Sequence, residues 1–163
     1  MSVMTGVEMQ AVISACGLFR YNLVCWWRTD APRICFCMLN PSRADGIVAD
    51  NTLRRCVGFA RAWGYGSIEL VNLFAYRTHD PAELKRAGWP IGPENDAYIF
   101  AAAARSMNVV CAWGSNATGH PRVAEVLGLI TLCHQPLCLG KRSVDGSPRH
   151  PLYLPADSLL ALL

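Results

Sequence analysis

The chain is poor in charge and has no long apolar stretch. Charged residues make up 17% of its 163 positions, with a net charge of +3. A dense basic patch, the usual footprint of a strong polyanion binder, is therefore not expected, although so mild a charge permits nucleic-acid contact. No apolar run approaches the ~18 residues of a membrane span. Met1 to Gln10 lacks the basic-then-apolar order of a signal peptide. A cytoplasmic protein with no membrane partner is the expectation. There, the eight cysteines are expected as reduced thiols, not as a disulfide framework. C-x-x-C spacing is absent, and Cys35 and Cys37 lie two apart in an apolar run. Such cysteines read as small buried hydrophobes, with zinc or an iron–sulfur cluster as the alternative. The chain also lacks G-x-x-x-x-G-K-[ST], G-x-G-x-x-G and G-x-S-x-G, so it shows no phosphate-cradling loop and no nucleophile elbow. No cofactor is expected.

What is present is a well-filled core. Hydrophobic residues make up 52%, which excludes disorder and fits one domain. Residues 1–12 are expected to be loosely attached, ahead of a single α/β domain over 13–163. Strands are predicted at Leu18–Trp27, Arg33–Leu39, Ser67–Phe74, Asn108–Trp113 and Ile130–Leu139. Helices are predicted from Asn51 or Thr52 to about Trp63, over Glu94–Met107 and Thr118–Leu129, and over Pro155–Leu163. Ala75–Pro93 reads as one long loop. Alternating strands and helices predict a three-layer α/β/α fold: a central, mainly parallel four-stranded sheet plus an N-terminal strand. Ligands of such folds bind beyond the carboxyl ends of the strands.

Polar residues fall at those ends. Asn40 directly follows a buried strand, where a carboxamide can accept from a water and donate to a ligand at once, or can cap the turn made by Pro41 and Ser42. Asn72 interrupts an apolar run. Buried there it needs hydrogen-bond partners, and its paired donor and acceptor match a nucleobase edge; neighbouring loop backbone can satisfy it instead. His150, between Arg149 and Pro151, can donate to an oxygen that gains charge during bond cleavage, or is a plain loop residue. Phe74 and Tyr76 can stack on a base or belong to the core. Arg43, Arg54, Arg55, Arg77 and Arg149 can contact phosphates or form a solvated face. Ser42 or a cysteine beside a histidine can serve as a nucleophile, but no spacing selects a pair.

The strings MLNPSRAD, DNTLRRCVGFARAWGYG, VNLFAYRTHDP, GPEND, AWG and RHPLYLP resemble the bacterial and phage family catalogued as domain of unknown function sixteen forty-three, over about residues 17–155. Their order is also similar to that of the uracil-DNA glycosylase superfamily. In that superfamily a G-I-N-P-G-type motif follows a buried strand, a second strand ends in a base-reading asparagine, a later strand ends in Trp-Gly, and an H-P-S-P-type loop follows. The matching positions here are Met38–Ser42, Leu70–Asn72, Ala112–Gly114 and His150–Leu152. Met38 and Ser42 stand where glycines are usual, and Leu152-Tyr153 replaces Ser-Pro. The resemblance implies the glycosylase sheet and a nucleobase-containing partner, DNA above all. It implies base contacts from Asn72, Phe74, Ser42 and Tyr76, catalysis by Asn40 and His150, and phosphate contacts from Arg43, Arg77 and Arg149. Hydrolysis of the N-glycosidic bond of a damaged or modified base is the function expected from it. The alternatives are a non-catalytic module that binds a modified base or nucleotide, and a hydrolase of free nucleosides or nucleotides.

Overall fold

A computed structural model describes residues 2–42 and 49–163. Seven strands form one mixed sheet. They are β1 (Glu8–Ile13), β2 (Arg20–Trp26), β3 (Arg33–Met38), β4 (Ser67–Asn72), β5 (Asn108–Cys111), β6 (Leu137–Leu139) and β7 (Leu160–Leu162). The helices are α1 (Asn51–Ala62), α2 (Pro81–Arg86), α3 (Asn95–Arg105) and α4 (Pro121–Thr131), with a 3-10 turn at Pro151–Tyr153.

The strand order is β1-β2-β4-β3-β5-β6-β7. β3 pairs in parallel with β4 and β5, and β5 with β6. β1 with β2, β2 with β4, and β6 with β7 pair antiparallel. The sheet is therefore wider than expected, and antiparallel strands flank its parallel pairs. RICFCM in β3 is apolar throughout because both sheet faces are covered. On one face Phe36, Leu23 and Ile68 meet the buried stripe of α1: Leu53, Cys56, Val57, Phe59 and Ala60. On the other, Cys35, Cys37 and Cys111 pack with Ile99 and Ala102 of α3 and with Val126 and Ile130 of α4. Burial pushes the thiols of Cys35, Cys37 and Cys111 up, so they act there as small apolar side chains. Gly66 is needed after α1, because a Cβ there would meet the Arg28 carbonyl oxygen at 2.3 Å.

Several expectations are corrected. The N-terminal segment is not loose: it supplies edge strand β1, and Val3, Met4 and Val7 pack on the core. The expected last helix contains β7 instead. An apolar run as short as Leu159–Leu163 fits either period, and pairing with β6 covers an otherwise open sheet edge. Of Ile130–Leu139 only the last three residues form β6; α4 runs on to Thr131, and the pairing begins just after Pro136. The long loop contains α2, started by Asp80, whose side chain accepts from Ala82 N, with Pro81 in the first turn. Asp50, one residue earlier than expected, caps α1.

No described helix is long and apolar enough to cross a membrane.

Candidate functional site

β3 and β4 run in register, so Met38 lies beside Asn72 at their carboxyl ends. The chain that continues past each end turns outward, and a cavity of about 280 Å³ opens there. Its apolar wall is Leu23, Met38, Leu53, Leu70 and Trp113; Arg20, Asn40, Ser42, Asp50, Asn72, Asn116 and His150 supply polar groups. Asn40, Asn72 and His150, separated by 32 and 78 positions in the chain (40 to 72, and 72 to 150), thus line one cleft. That is small for a ligand pocket, typically ~300–1,000 Å³, and suits one planar heterocycle.

Asn72 is 2% exposed, yet its Nδ2 has no hydrogen-bond partner. Its backbone is not the difficulty, since its carbonyl oxygen accepts from Asn95 Nδ2 at 3.0 Å. An unsatisfied buried donor costs about 1–3 kcal/mol. A side-chain amide kept at that cost on a cavity wall is poised for an acceptor that comes from outside the chain.

Asn40 behaves otherwise. Its Nδ2 donates to the carbonyl oxygens of Pro41, Tyr76 and Thr78 at 3.2, 3.2 and 2.9 Å. The amide therefore staples two loops together. Its donor side is spent on backbone and is not open to a ligand, which corrects one half of the role expected for it. The same bonds fix the amide plane, and Oδ1 accepts no hydrogen bond from a described residue, so it can hold a water.

His150 is set in place from three directions. Gly114 N donates to Pro148 O at 3.0 Å. The Arg55 guanidinium donates to the Pro151 and Leu154 carbonyls, so Arg55 serves the loop and not a phosphate. His150 Nδ1 accepts from Leu152 N at 3.2 Å. In the neutral ring the proton then sits on Nε2, the other edge. Burial pulls the imidazole pKa down, against the opposing field of Asp50, so the ring is held neutral at pH 7.

Three residues of the site carried no role in the sequence reading. Asp50 brings a carboxylate to the cavity; it accepts from Leu53 N at 2.7 Å and from Ser42 Oγ at 3.2 Å. Arg20 is 5% exposed, and burial lowers its guanidinium to about 10, with Asp50 acting in the other direction. It stays charged at neutral pH. Trp113, just past β5, borders the cavity but is 3% exposed and packs mainly in the core on the α3–α4 face. A capping signal in A-D-N-T could have flagged Asp50, and the W-G pair, matched to a motif above, carried no role for Trp113. Nothing local marks Arg20, whose role depends on the antiparallel pairing of β2 with β4.

Other expected members lie elsewhere. Phe74 is fully buried between Trp89 and His120, on the opposite face of the sheet from α1. Tyr76 faces Phe19, edge to face at 6.5 Å. Neither lines the cavity: β4 ends at Asn72, and alternation ends with it, so consecutive Leu73 and Phe74 both pack in the core on the α3–α4 face. Ser42 does line it, with its hydroxyl given to Asp50. Arg77 donates to Gly17 O at 2.8 Å, away from the cavity lining. Arg149 is exposed in the depression beside His150. Arg43 lies outside the described residues. Among the described residues no cluster of three or more His, Cys, Asp or Glu side chains has metal-binding geometry.

The family model described as "Protein of unknown function (DUF1643)" matches residues 20–152. No curated protein and no solved structure matches the chain. The matched segment runs from the start of β2 through the histidine loop and so includes every cavity residue named above. The further likeness to uracil-DNA glycosylases gains no support from these comparisons.

Proposed function

We propose that this chain, which belongs to that DUF1643 family of unknown function, recognises a nucleobase in the cavity and hydrolyses the N-glycosidic bond of a damaged or modified base in DNA. The observation that carries the reading is the buried Asn72 Nδ2 without a partner on the wall of a base-sized cavity. A nucleobase offers what that wall requires: a ring-carbonyl or ring-nitrogen acceptor at its edge, and a flat face for the apolar side chains of Leu23, Met38 and Leu70. The parallel order β4-β3-β5-β6 also supports it, since it aims three strand ends at one place.

The chemistry follows from the groups present. A water held by Asn40 Oδ1 adds its oxygen to the sugar C1′ while the C1′–N bond breaks. The bonding pair leaves with the base, whose negative charge is met by His150 Nε2–H and the field of Arg20. The water proton passes to solvent or to Asp50, the described carboxylate on the cavity wall. No cofactor takes part.

A second reading is supported by a specific observation. Asn40 is an amide, and Asp50 already accepts two hydrogen bonds, so a strong general base is lacking. A sensor that binds a modified base without cleaving it has the same cavity. Single- and double-stranded oligonucleotides bearing modified bases, together with free nucleosides, separate the cases. Chromatographic detection of free base supports the hydrolase. Binding without release supports the sensor. Release from nucleosides alone supports the hydrolase of free nucleosides.

A further inference from the structure

Two shallow depressions adjoin the cavity. One depression shares His150 with it and adds Arg149, Ser115 and Tyr153. Another shares Pro81 and Asn116 and adds Lys85, Trp89 and His120. Both depressions thus adjoin the cavity at the carboxyl edge of the sheet, and through Ser115 and Asn116 they also approach each other. A site built for a free nucleoside needs the cavity alone, closed at its ends.

The two flanks have the same composition. Each holds one full cation, one histidine and one aromatic ring, and neither is lined by a described carboxylate. Tyr153 is 85% exposed, an unusual position for a large ring, with only the His150 ring near it at 6.4 Å among the described aromatic rings. Trp89 is half-buried and fixed: its ring lies 5.1 Å from Phe74 and 5.0 Å from His120, and its backbone takes φ 57°. One ring is therefore free to lie on a planar partner, and the other is a rigid wall.

We infer that this groove holds a single strand of DNA, with one base in the cavity and its neighbours on Tyr153 and Trp89. The inference rests on the nucleobase reading of the cavity and deepens it by naming the substrate class. Cations matched to phosphates and rings matched to base faces are the means by which proteins track a strand without reading its sequence. Duplex DNA hides its base faces in the stack, so both rings would be idle. The net charge of +3 fits a short contact of a few phosphates and not a long duplex track.

The test uses the full chain and a fluorescein-labelled 12-nucleotide single strand of mixed sequence carrying one deoxyuridine. The same sequence as duplex and deoxyuridine monophosphate are compared by anisotropy and by competition. The single strand should bind at least tenfold more tightly than either. Tyr153→Ala and Trp89→Leu should each weaken it by fivefold or more. Lys85→Glu, at an exposed position, should weaken it as well and flatten its salt dependence. Equal affinity for duplex and single strand, or wild-type affinity in Tyr153→Ala and Lys85→Glu, overturns the groove. The cavity reading fails separately: if those variants lose affinity while Asn72→Ala leaves the monophosphate and the strand bound as in wild type, the groove stands and the cavity does not hold a base. If the monophosphate needs Asn72 and the strand adds nothing, the cavity stands and the groove falls.

Discussion

Of the buried polar side chains on strand β4, Glu69 and Asn72 lie three residues apart and have opposite fates. Glu69 is 0% exposed and fully engaged. It accepts from Asn22 Nδ2 at 2.9 Å, from Arg33 Nη1 at 3.1 Å, and from Arg105. Asn72 is almost as buried, and its amide nitrogen has no partner. An odd separation also places them on opposite faces of the sheet. Glu69 adjoins Cys35 and, through Arg105, the end of helix α3, nearer the end where the strands begin. Asn72 adjoins Met38 and the cavity, where they finish. A buried polar group whose bonds all close within the chain is architecture. One left open beside a void is a place for something else. Interrupted apolar runs look the same in both cases; the partners tell them apart.

That distinction can be broken first at Glu69. Its carboxyl is pulled two ways: burial raises the pKa, and the bonds from Arg105 and Asn22 and the fields of Arg105 and Arg33 lower it further, for a net fall. Removing both arginines strands a buried charge. The double variant Arg33→Met, Arg105→Met should lose about 3–5 kcal/mol of stability, read from urea denaturation with the midpoint moved and the slope kept. The cavity should still bind its ligand wherever the chain remains folded. A loss under about 1 kcal/mol would mean that the half-exposed arginines contribute little and that Glu69 is no framework.

Asn72→Ala is the mirror experiment. It removes an orphan donor as well as some packing, so stability should change by less than about 1 kcal/mol. Affinity for the base-bearing strand should fall about tenfold or more, the worth of a well-formed hydrogen bond in a dry site. Stability loss with affinity kept would make Asn72 a second Glu69.

Much of this framework was legible before any coordinates. Arg33–Met38, Ser67–Asn72 and Asn108–Cys111 announce themselves as continuous apolar runs, and strand ends in an α/β fold point to the site. So Asn40, Asn72 and His150 could be named together. The flanking strands were harder. β6 and β7 have three residues each, too short for a period, and β7 exists because β6 offers it an edge. Within the site, the sequence showed which residues were polar but not where their hydrogen bonds went. Asn40 and Arg55 both bond to loop backbone brought in from distant positions, and Arg20 enters from an antiparallel neighbour. Phe74 and Tyr76 share the parity of Asn72 but not its face, because β4 stops at Asn72 and the chain beyond it no longer alternates.

Asp50 tests whether one residue belongs to both categories. As the cap of α1 it is architecture; on the cavity wall it is chemistry. Asp50→Ala should cost about 1 kcal/mol and reduce base release. Asp50→Asn keeps a side-chain oxygen for Leu53 N and should be nearly as stable as wild type, while release still falls. Equal release in Asp50→Asn and wild type would assign Asp50 to the helix alone.

The finest test uses acid, because the two polar regions should fail at different pH. Both Glu69 and His150 have pKa values lowered in the folded chain. A group of that kind adds stability above its ordinary pKa and loses it as pH falls through the folded value. For Glu69 the loss begins only below the carboxyl's ordinary 4.5. For His150 it begins below the imidazole's ordinary 6.5, because burial disfavours the protonated ring; a proton on Nδ1 would in addition displace the Leu152 N–H that this atom accepts. Between those two values the loop should loosen while the arginine–glutamate framework holds. Melting temperatures from pH 7.5 to 4 should therefore show an early, small decline followed by a steep one. His150→Asn retains an acceptor suited to capping a turn but cannot titrate. The early decline should shrink in that variant and the steep one remain, with the other three histidines unchanged as an internal control. Superimposable profiles for wild type and His150→Asn would show that His150 is not held by that bond. The loop would then lie on the side of architecture only through Arg55 and Gly114.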